Sequence, residues 1–280
     1  MTHFTCLSGV QIPKMLYGTA WKKERTAYLV ETALKQGFLG IDTACQPKHY
    51  NEAGVGEGLR RAFSKGLSRE SLFLQTKYTP FRGQDPNNCP YDSSASLPAQ
   101  VKKSSEVSLR NLGVSVIDSL VLHSPLPSLE QTMEVWQTME SLVEAGRFRQ
   151  LGISNCYSQQ LFERIFASAS IKPSVLQNRF YEDSGYDISL RKFCQEKGVI
   201  YQSFWTLTAN PQVLRSSLIA DCARKMVKTP AQIMYRYLTQ RQIVPLNGTS
   251  SIQHMREDLG IFGFELSEED CLRIDQIGLF

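Results

Sequence analysis

Ser119-Leu120-Val121-Leu122-His123 is a short apolar run, and a segment of helical periodicity, Leu129–Ala145, follows it and stops at Gly146. The next apolar run, Gln150–Ser154, comes directly afterwards. An apolar run, an amphipathic helix and a second apolar run in succession predict a strand–helix–strand unit with parallel strands. This stretch indicates the fold class, because the same alternation recurs along nearly the whole chain.

Eight runs of this kind are predicted as strands. They are apolar throughout rather than alternating with polar residues, which is typical of parallel strands that are covered by helices. In chain order the predicted strands are Lys14–Gly18, Gly40–Thr43, Leu72–Thr76, Ser119–His123, Gln150–Ser154, Ser174–Gln177, Val199–Phe204 and Ile243–Leu246.

Helical periodicity fills the intervals between the strands. Several of these segments stop at a glycine, which favours the left-handed conformation that ends a helix, and Pro230 suits the first position of another helix. The predicted helices are Thr26–Gln36, Ala53–Ser64, Ala99–Leu112, Leu129–Ala145, Ser158–Ala169, Asp187–Lys197, Pro230–Gln240 and Ser251–Gly260.

Eight strands that are each followed by a helix predict a closed α/β barrel, the (β/α)8 or TIM-barrel fold, with residues 1–280 as a single domain. The rival fold is a doubly wound open sheet, but no predicted strand is followed by its GxGxxG motif. The segment Thr5–Val10 is predicted to form a hairpin on the barrel floor. Phe81–Leu97, which is rich in Asp, Asn, Pro and Ser, is predicted to be a long loop.

Composition and charge exclude several classes of protein. The net charge of +4 is mild and the basic residues are scattered, which argues against a nucleic-acid or membrane partner. No apolar stretch approaches the roughly 18 residues of a membrane span, and no secretory signal is visible. The seven cysteines form no CxxC pair and no metal-ligand spacing with histidine. We therefore expect a cytoplasmic, monomeric protein with reduced thiols and no metal.

Active sites of such barrels lie at the C-terminal ends of the strands. Each polar residue there has an ordinary explanation when it is taken singly, such as a solvated lysine, a core histidine or an aspartate that caps a turn. Their joint occurrence on consecutive strands favours an active site. The residues at these ends are Asp42, Lys77, His123, Ser154, Asn155, Gln177, Phe204 and Trp205.

Several short motifs resemble those of the aldo-keto reductase family, and they follow the family's order from about Gly18 to about Leu259. Any one of them would be a weak signal, whereas the set is specific. The motifs are Gly40-Ile41-Asp42-Thr43-Ala44, Tyr50-Asn51-Glu52, Val55-Gly56-Glu57, Leu74-Gln75-Thr76-Lys77, Asp118-Ser119-Leu120-Val121-Leu122-His123-Ser124-Pro125 and Gly146-Arg147-Phe148-Arg149-Gln150-Leu151-Gly152-Ile153-Ser154-Asn155.

The resemblance implies a catalytic tetrad of Asp42, Tyr50, Lys77 and His123 for the reduction of aldehydes or ketones to alcohols. A carbonyl that receives a hydride needs a proton at its oxygen, but a phenol with a pKa near 10 is a poor acid at neutral pH. Tyr50 would be the acid, Lys77 would lower its pKa, and Asp42 would hold Lys77 charged. His123 would donate a hydrogen bond that orients the substrate.

The spacing of the tyrosine departs from the family pattern. Cys45-Gln46-Pro47-Lys48-His49 separates Ala44 from Tyr50, which is about three residues more than usual. The Asn-Glu that follows Tyr50 supports its assignment as the proton donor, and His49 is the competitor for that role.

The resemblance also implies a nicotinamide cofactor, with NADPH as the family default. At the adenosine end, however, Leu246 and His254 replace the lysine and arginine that usually hold the 2′-phosphate, so use of NADH or of both cofactors stays open. Arg256 is a spare cation, and Gly248, Thr249 and Ser250 offer backbone and hydroxyl donors ahead of a helix. The implied cofactor residues are Thr19, Ser154, Asn155, Gln177, Phe204, Leu246, Gly248, Thr249, Ser250, His254 and Asp258.

The substrate pocket is expected to be walled by Trp21, Tyr78, Trp205 and the loop 81–97, which suits small apolar or aromatic aldehydes and ketones. No arginine stands out in the sequence as a carboxylate clamp. Two other functions remain open. One is a barrel enzyme that uses Lys77 as a Schiff-base nucleophile. The other is a non-catalytic sensor that binds NADP(H), since a fold does not fix a function.

Overall fold

The computed structural model describes residues 3–279, and eight of the strands in this range close into one parallel barrel. A two-stranded antiparallel hairpin precedes the barrel. The hairpin strands are β1 (His3–Thr5) and β2 (Gln11–Pro13), and the barrel strands are β3 (Leu16–Gly18), β4 (Gly40–Asp42), β5 (Phe73–Tyr78), β6 (Ile117–Leu122), β7 (Phe148–Ser154), β8 (Val175–Arg179), β9 (Ile200–Phe204) and β10 (Ile243–Asn247).

The strands follow one another around the barrel in chain order, and β10 closes it by pairing with β3. This confirms the predicted fold class, and each barrel strand overlaps a predicted one. Because parallel strands share one direction, their C-terminal ends meet at a single rim of the barrel. Asp42, Ser154, Phe204 and Asn247 each end a strand at this rim.

Helices surround the barrel, and their starts follow local chemistry. Thr229 and Gln232 form a capping box before α9, with Pro230 in its first turn, and Gly37 ends α1 with a φ of 110°. The helices are α1 (Thr26–Gln36), α2 (Glu52–Phe63), α3 (Leu97–Leu112), α4 (Leu129–Glu144), α5 (Gln159–Ser168), α6 (Ile188–Lys197), α7 (Pro211–Leu214), α8 (Ser217–Met226), α9 (Pro230–Gln240), α10 (Ile252–Leu259) and α11 (Glu268–Ile274).

Three of these helices were not predicted from the sequence, namely α7, α8 and α11. Helix α8 has a good start, because the Ser216 hydroxyl accepts from the Ile219 amide. Its end lacks the usual glycine signal: Val227 adopts the left-handed conformation there, with a φ of 54°. A β-branched residue is rare in this conformation, so no residue at this position signals the end of a helix.

The N-terminal hairpin closes the floor of the barrel. The prediction placed the hairpin at Thr5–Val10, whereas the paired strands are β1 and β2 and residues 6–10 form the turn between them. Ile12 of β2 packs with Leu16, Phe73 and Val175 in a small apolar cluster among the barrel strands. The floor is therefore sealed by hydrophobic contacts, and the opposite rim is left for a site.

Candidate active site

Asp42 and Lys77 form a buried ion pair on adjacent strands. The Lys77 ammonium donates to Asp42 Oδ2 at 2.6 Å and to the Thr43 carbonyl at 2.9 Å. Both side chains are almost completely buried. Burial lowers the pKa of Lys77, and the neighbouring Asp42 carboxylate opposes that shift. Each charge needs the other here, because an unpaired charge in the interior is costly.

The second oxygen of Asp42 accepts from two buried glutamines, Gln75 and Gln177, which a third buried glutamine, Gln202, joins. Gln75 Nε2 donates to Asp42 Oδ1 at 2.7 Å, and Gln177 Nε2 donates to the same atom at 3.0 Å. Both of these amide nitrogens also donate to Gln202 Oε1. Gln75 and Gln202 were missed from the sequence, where the only sign was a polar amide inside an apolar strand.

The long loop after β4 brings Tyr50 to this pair. The Lys77 nitrogen lies 5.3 Å from the centroid of the Tyr50 ring. The rings of Tyr50 and His123 meet edge to face, with centroids 6.0 Å apart. The structure thus brings together all four residues that the resemblance implied as a tetrad. Within residues 3–279, however, the Tyr50 hydroxyl has no hydrogen-bond partner.

His49, the other candidate for the proton donor, packs against Trp21. Its ring stacks against Trp21, with centroids 4.1 Å apart, and its backbone carbonyl accepts from the Trp21 amide at 2.7 Å. Burial and the nearby Lys48 lower the pKa of His49. His49 and Trp21 therefore form one aromatic wall.

The pKa of Tyr50 differs from the expected direction. Lys77 was expected to lower it, but burial and the Asp42 carboxylate raise it. Within residues 3–279 the Lys77 ammonium is bonded to Asp42 and to the Thr43 carbonyl and makes no hydrogen bond to Tyr50; it lies 5.3 Å from the centroid of the Tyr50 ring. The phenol therefore keeps its proton at neutral pH.

His123 is held in its neutral form, and one of its ring nitrogens is within hydrogen-bond distance of a threonine hydroxyl. Its Nδ1 lies 2.6 Å from the Thr79 hydroxyl oxygen. Burial, followed by the charges of Lys77 and His49, lowers the pKa of His123 well below its ordinary value. Thr79 was not predicted as a site residue.

Tyr78, which was predicted to line the substrate pocket, does not do so. Its side chain is fully buried, its hydroxyl donates to Gln100 on α3, and its ring packs on Tyr91. Successive residues of a strand face opposite sides, so Tyr78 faces the helices because Lys77 faces the barrel interior. Thr79 contributes to the pocket instead.

A cavity of about 1030 Å³ opens at the C-terminal rim of the barrel and includes these residues. Such a volume is at the upper end of the range for small-molecule sites. Predicted site residues that line this rim cavity are Trp21, Asp42, Tyr50, His123, Ser154, Asn155, Gln177, Phe204, Trp205, Leu246, Gly248, Thr249, His254 and Asp258. Lys77 lies beneath them, and of the loop 81–97 only Gly83 lines the cavity.

Thr19, which was predicted as a cofactor residue, does not line the rim cavity. Its side chain is buried, and its hydroxyl donates to the Asp42 backbone carbonyl at 3.0 Å. The neighbouring residues Gly18 and Ala20 line the cavity in its place. Thr19 therefore stabilises the turn after β3.

Ser154 ends β7, Asn155 follows it, and both are fixed by the adjacent strands. Ser154 Oγ donates to the Gln177 carbonyl at 2.7 Å, and Asn155 Nδ2 donates to the His123 carbonyl at 2.8 Å. Asn155 has a φ of 53°, a left-handed conformation that asparagine tolerates better than most residues. Phe204, at the end of β9, is half-buried and lines the same cavity.

The loop before α10 forms the outer end of the rim cavity. The Thr249 amide donates to Asn247 Oδ1 at 2.8 Å, and the Ser251 amide donates to Thr249 Oγ1 at 3.1 Å, so both donors are used within the loop. Asn247 also donates to Asp258, whose pKa burial raises to about 6. Ser250 does not line the cavity.

Two cations near this loop occupy different positions. Arg256 is exposed, does not line the rim cavity, and donates from Nε to Gln36 on α1 at 2.8 Å. Lys22, which follows β3, donates to the Gly248 carbonyl and lines the cavity. Lys22 was missed from the sequence, because the two residues are 226 positions apart.

A family model described as the aldo/keto reductase family matches residues 14–278. The chain belongs to this family. An uncharacterized oxidoreductase of Bacillus subtilis, YtbE, is 30% identical, with 98% of this chain and 91% of the relative aligned. The NADP-dependent D-sorbitol-6-phosphate dehydrogenase of Malus domestica is 30% identical, with 99% and 94% aligned. The structure of the aldose reductase from Schistosoma japonicum is 26% identical with a TM-score of 0.82, and covers 100% of this chain and 93% of that one.

This aldo/keto reductase is an oxidoreductase enzyme built on a single (β/α)8 barrel. No helix among the described residues is long and apolar enough to cross a membrane. Relative to the family pattern, the chain has apolar Leu246 and exposed His254 at the two positions where a lysine and an arginine are usual. Lys22, from the loop after β3, brings a cation to this part of the cavity.

Proposed function

We propose that this aldo/keto reductase reduces small aldehydes or ketones to alcohols, with Tyr50 as the proton donor. The observation that carries the proposal is the placement of Tyr50 in the cavity wall between Lys77 and His123, with a hydroxyl that is free of protein partners within residues 3–279. A general acid must reach the reacting oxygen, and a free hydroxyl can do so.

The polar groups at the rim fit a nicotinamide group. Ser154 and Asn155 use their donors on backbone carbonyls and on each other, so their side-chain oxygens are left to accept from the carboxamide nitrogen. Phe204 lines the same cavity and offers an aromatic face. Gln177 uses its amide nitrogen on Asp42, so its carbonyl oxygen is the atom left for the nicotinamide carboxamide. When bound, this cofactor supplies the hydride. NADPH is the first choice, which the name of the Malus domestica relative supports.

Residues of the chain supply the proton and stabilise the charges that develop during the reaction. Tyr50 keeps its proton until charge develops on the carbonyl oxygen, because its pKa is raised. The Lys77 ammonium, 5.3 Å from the ring centroid, stabilises the phenolate after the proton has moved. We assign to the neutral His123 the tautomer with its proton on Nε2. In this tautomer the Thr79 hydroxyl, 2.6 Å away, donates to Nδ1, and Nε2 donates to the carbonyl oxygen.

The contacts of Lys77 argue against the Schiff-base alternative. A lysine nucleophile must be neutral and accessible, whereas Lys77 is bonded to Asp42 and lies beneath the residues that line the cavity. The exposed rings of Trp21 and Trp205 stand at the mouth and suit small apolar or aromatic carbonyl compounds.

The Tyr50→Phe variant tests the proposal. Loss of the acid should lower kcat for a panel of small aldehydes by about 10²–10⁴-fold, since general acid catalysis is worth that much. The dissociation constant for NADPH, measured by fluorescence quenching, should stay within about threefold.

The matched variant is His49→Ala. It should keep more than about a tenth of the wild-type kcat, because His49 only stacks on Trp21. A collapse in His49→Ala together with near-normal turnover in Tyr50→Phe would transfer the donor role to His49.

A further inference from the structure

Arg179, the last residue of β8, is held between aromatic rings at the mouth of the rim cavity. Its guanidinium carbon lies 4.3 Å from the centroid of the Trp205 ring and 5.2 Å from that of Tyr181. Stacking on an aromatic face uses the flat side of a guanidinium and leaves the N–H donors along its edge available. The stacked rings therefore position Arg179, and its N–H groups remain available for hydrogen bonds.

The alternation of β8 sets the direction of this side chain. Gln177 faces the barrel interior, where it bonds Asp42, and Asn178 faces outward and bonds Asp187. Arg179 therefore returns to the inner face, one layer closer to the rim, and it lines the cavity. Its partner in the strand register is Phe204.

No acidic group neutralises Arg179. Among residues 3–279 no carboxylate oxygen lies within 4.0 Å of it, and the guanidinium makes no hydrogen bond. Its Nε is buried and lacks a partner. By contrast, Arg69 bonds Asp118 at 2.7 Å. A buried donor that is left without a partner is costly. The Nη groups, which are not among the buried atoms without a partner, are the donors that a ligand with acceptor oxygens can reach.

We propose that Arg179 binds an anionic oxygen group, a carboxylate or phosphate, on the carbonyl substrate. The proposal rests on the proposed carbonyl reduction and names its substrate class: aldehydes or ketones that carry a negative charge at the end remote from the reacting carbonyl. Arginine suits such a group because its planar fork matches the two oxygens of a carboxylate or phosphate. Arg179 pairs in register with Phe204, where the nicotinamide is proposed to bind, and β9 separates its strand from β10 and the Gly248 loop. This location favours an anion on the substrate over the adenosine phosphates.

The test compares Arg179→Gln with wild type on benzaldehyde and 4-carboxybenzaldehyde, which differ only in the charged group. The expected result is a 10- to 100-fold fall in the ratio of kcat/KM for the charged to the neutral aldehyde, carried by KM, because a hydrogen bond to a charged group is lost. Arg179→Lys, which keeps the charge but not the fork, should retain part of the ratio. It also serves if Arg179→Gln fails to fold.

Arg110→Gln is the matched control. Arg110 is exposed, does not line the cavity, and its replacement removes the same charge, so the ratio should not change. An equal fall in Arg110→Gln would mean that net charge, not contact, sets the preference. An unchanged ratio in Arg179→Gln would overturn the proposal. So would a variant that binds NADPH more weakly but keeps its preference for the charged aldehyde, because the anion bound by Arg179 would then belong to the cofactor.

A binding measurement separates this proposal from the proposed reaction. Calorimetric titration of 4-carboxybenzyl alcohol and benzyl alcohol into the protein does not depend on turnover. Wild type should bind the charged alcohol at least 10-fold more tightly than Arg179→Gln does. If the protein reduces neither aldehyde but wild type still binds the charged alcohol more tightly than Arg179→Gln does, the proposed carbonyl reduction is wrong and Arg179 remains an anion-binding residue. If wild type and Arg179→Gln bind the charged alcohol equally tightly, the proposed role of Arg179 is wrong.

Discussion

The two ends of the rim cavity are built in different ways. At the centre of the barrel the charges of Asp42 and Lys77 are buried and paired, and each has a partner on the same or the next strand. At the outer end His254 and Gly248 are exposed, and the nearby cation, Lys22, comes from a different loop. The proposed chemistry thus depends on buried contacts between neighbouring strands, whereas cofactor selection depends on surface groups that can be exchanged at little cost to the fold.

The largest effect should come from breaking the buried pair. Lys77→Met should lower kcat about as much as Tyr50→Phe, about 10²–10⁴-fold. It should also reduce the free energy of unfolding by about 3–5 kcal/mol, because Asp42 is left charged and unpaired in the interior. Turnover assays and denaturant titration measure the two effects.

The double variant Asp42→Asn/Lys77→Met sharpens this result. Removing both charges should restore most of the stability but not the activity. If activity returns together with stability, Lys77 has only a structural role.

A smaller effect, on cofactor affinity, is expected from a change at the outer end of the rim cavity. Lys22→Ala should weaken NADPH binding about 10-fold more than NADH binding, which corresponds to roughly 1.4 kcal/mol, because Lys22 lies at Gly248 near the residues implied for the 2′-phosphate. Arg256→Ala should change neither affinity, since Arg256 is bonded to Gln36 on α1.

The dissociation constants of NADPH and NADH, measured for the wild type and for each variant, test this prediction. In the wild type we expect a preference for NADPH below about a thousand-fold, roughly 4 kcal/mol. Equal weakening of both cofactors in Lys22→Ala would place Lys22 on a group that they share, such as the diphosphate.

A still smaller loss should follow from Thr79→Val. The variant removes one hydrogen bond to His123 and should lower kcat about 3- to 10-fold, whereas Thr79→Ser should retain activity. The ¹⁵N chemical shifts of His123 distinguish a positioning role from a general packing defect, since only the former changes the populations of the ring tautomers.

No effect is expected from pH across the neutral range. The raised pKa of Tyr50 keeps the donor protonated, and the lowered pKa of His123 keeps that ring neutral. The value of kcat should therefore stay flat between about pH 6 and 8. If kcat instead fell steadily as the pH rose from 6 to 8, His49 would be the better candidate for the donor. Its lowered pKa means that its protonated form is lost as the pH rises through this range.

The sequence located the strand ends that meet around the rim cavity, because strands can be read from apolar runs and their C-terminal ends share one rim. The error at Tyr78 shows the limit of this reasoning. A shift of one residue reverses the side that a strand residue faces, so Thr79 and not Tyr78 contributes to the cavity.

Other residues could not be found from local patterns. Lys22 meets Gly248 across 226 positions, and Arg179 depends on the rings of Tyr181 and Trp205, which follow two different strands. These contacts arise only when the barrel is complete, so no window of the sequence contains them.

The hydrogen bond between Gln177 and Asp42 spans the barrel, since β8 stands diametrically opposite β4 in the closed ring of strands. A half-barrel fragment that ended at β6 would keep Gln75 but lose Gln177 and Gln202, and it would leave the carboxylate open to water. During refolding, helix content can therefore recover before the last strands dock, whereas turnover can return only with them. The appearance of activity thus marks the moment at which the ring of strands closes.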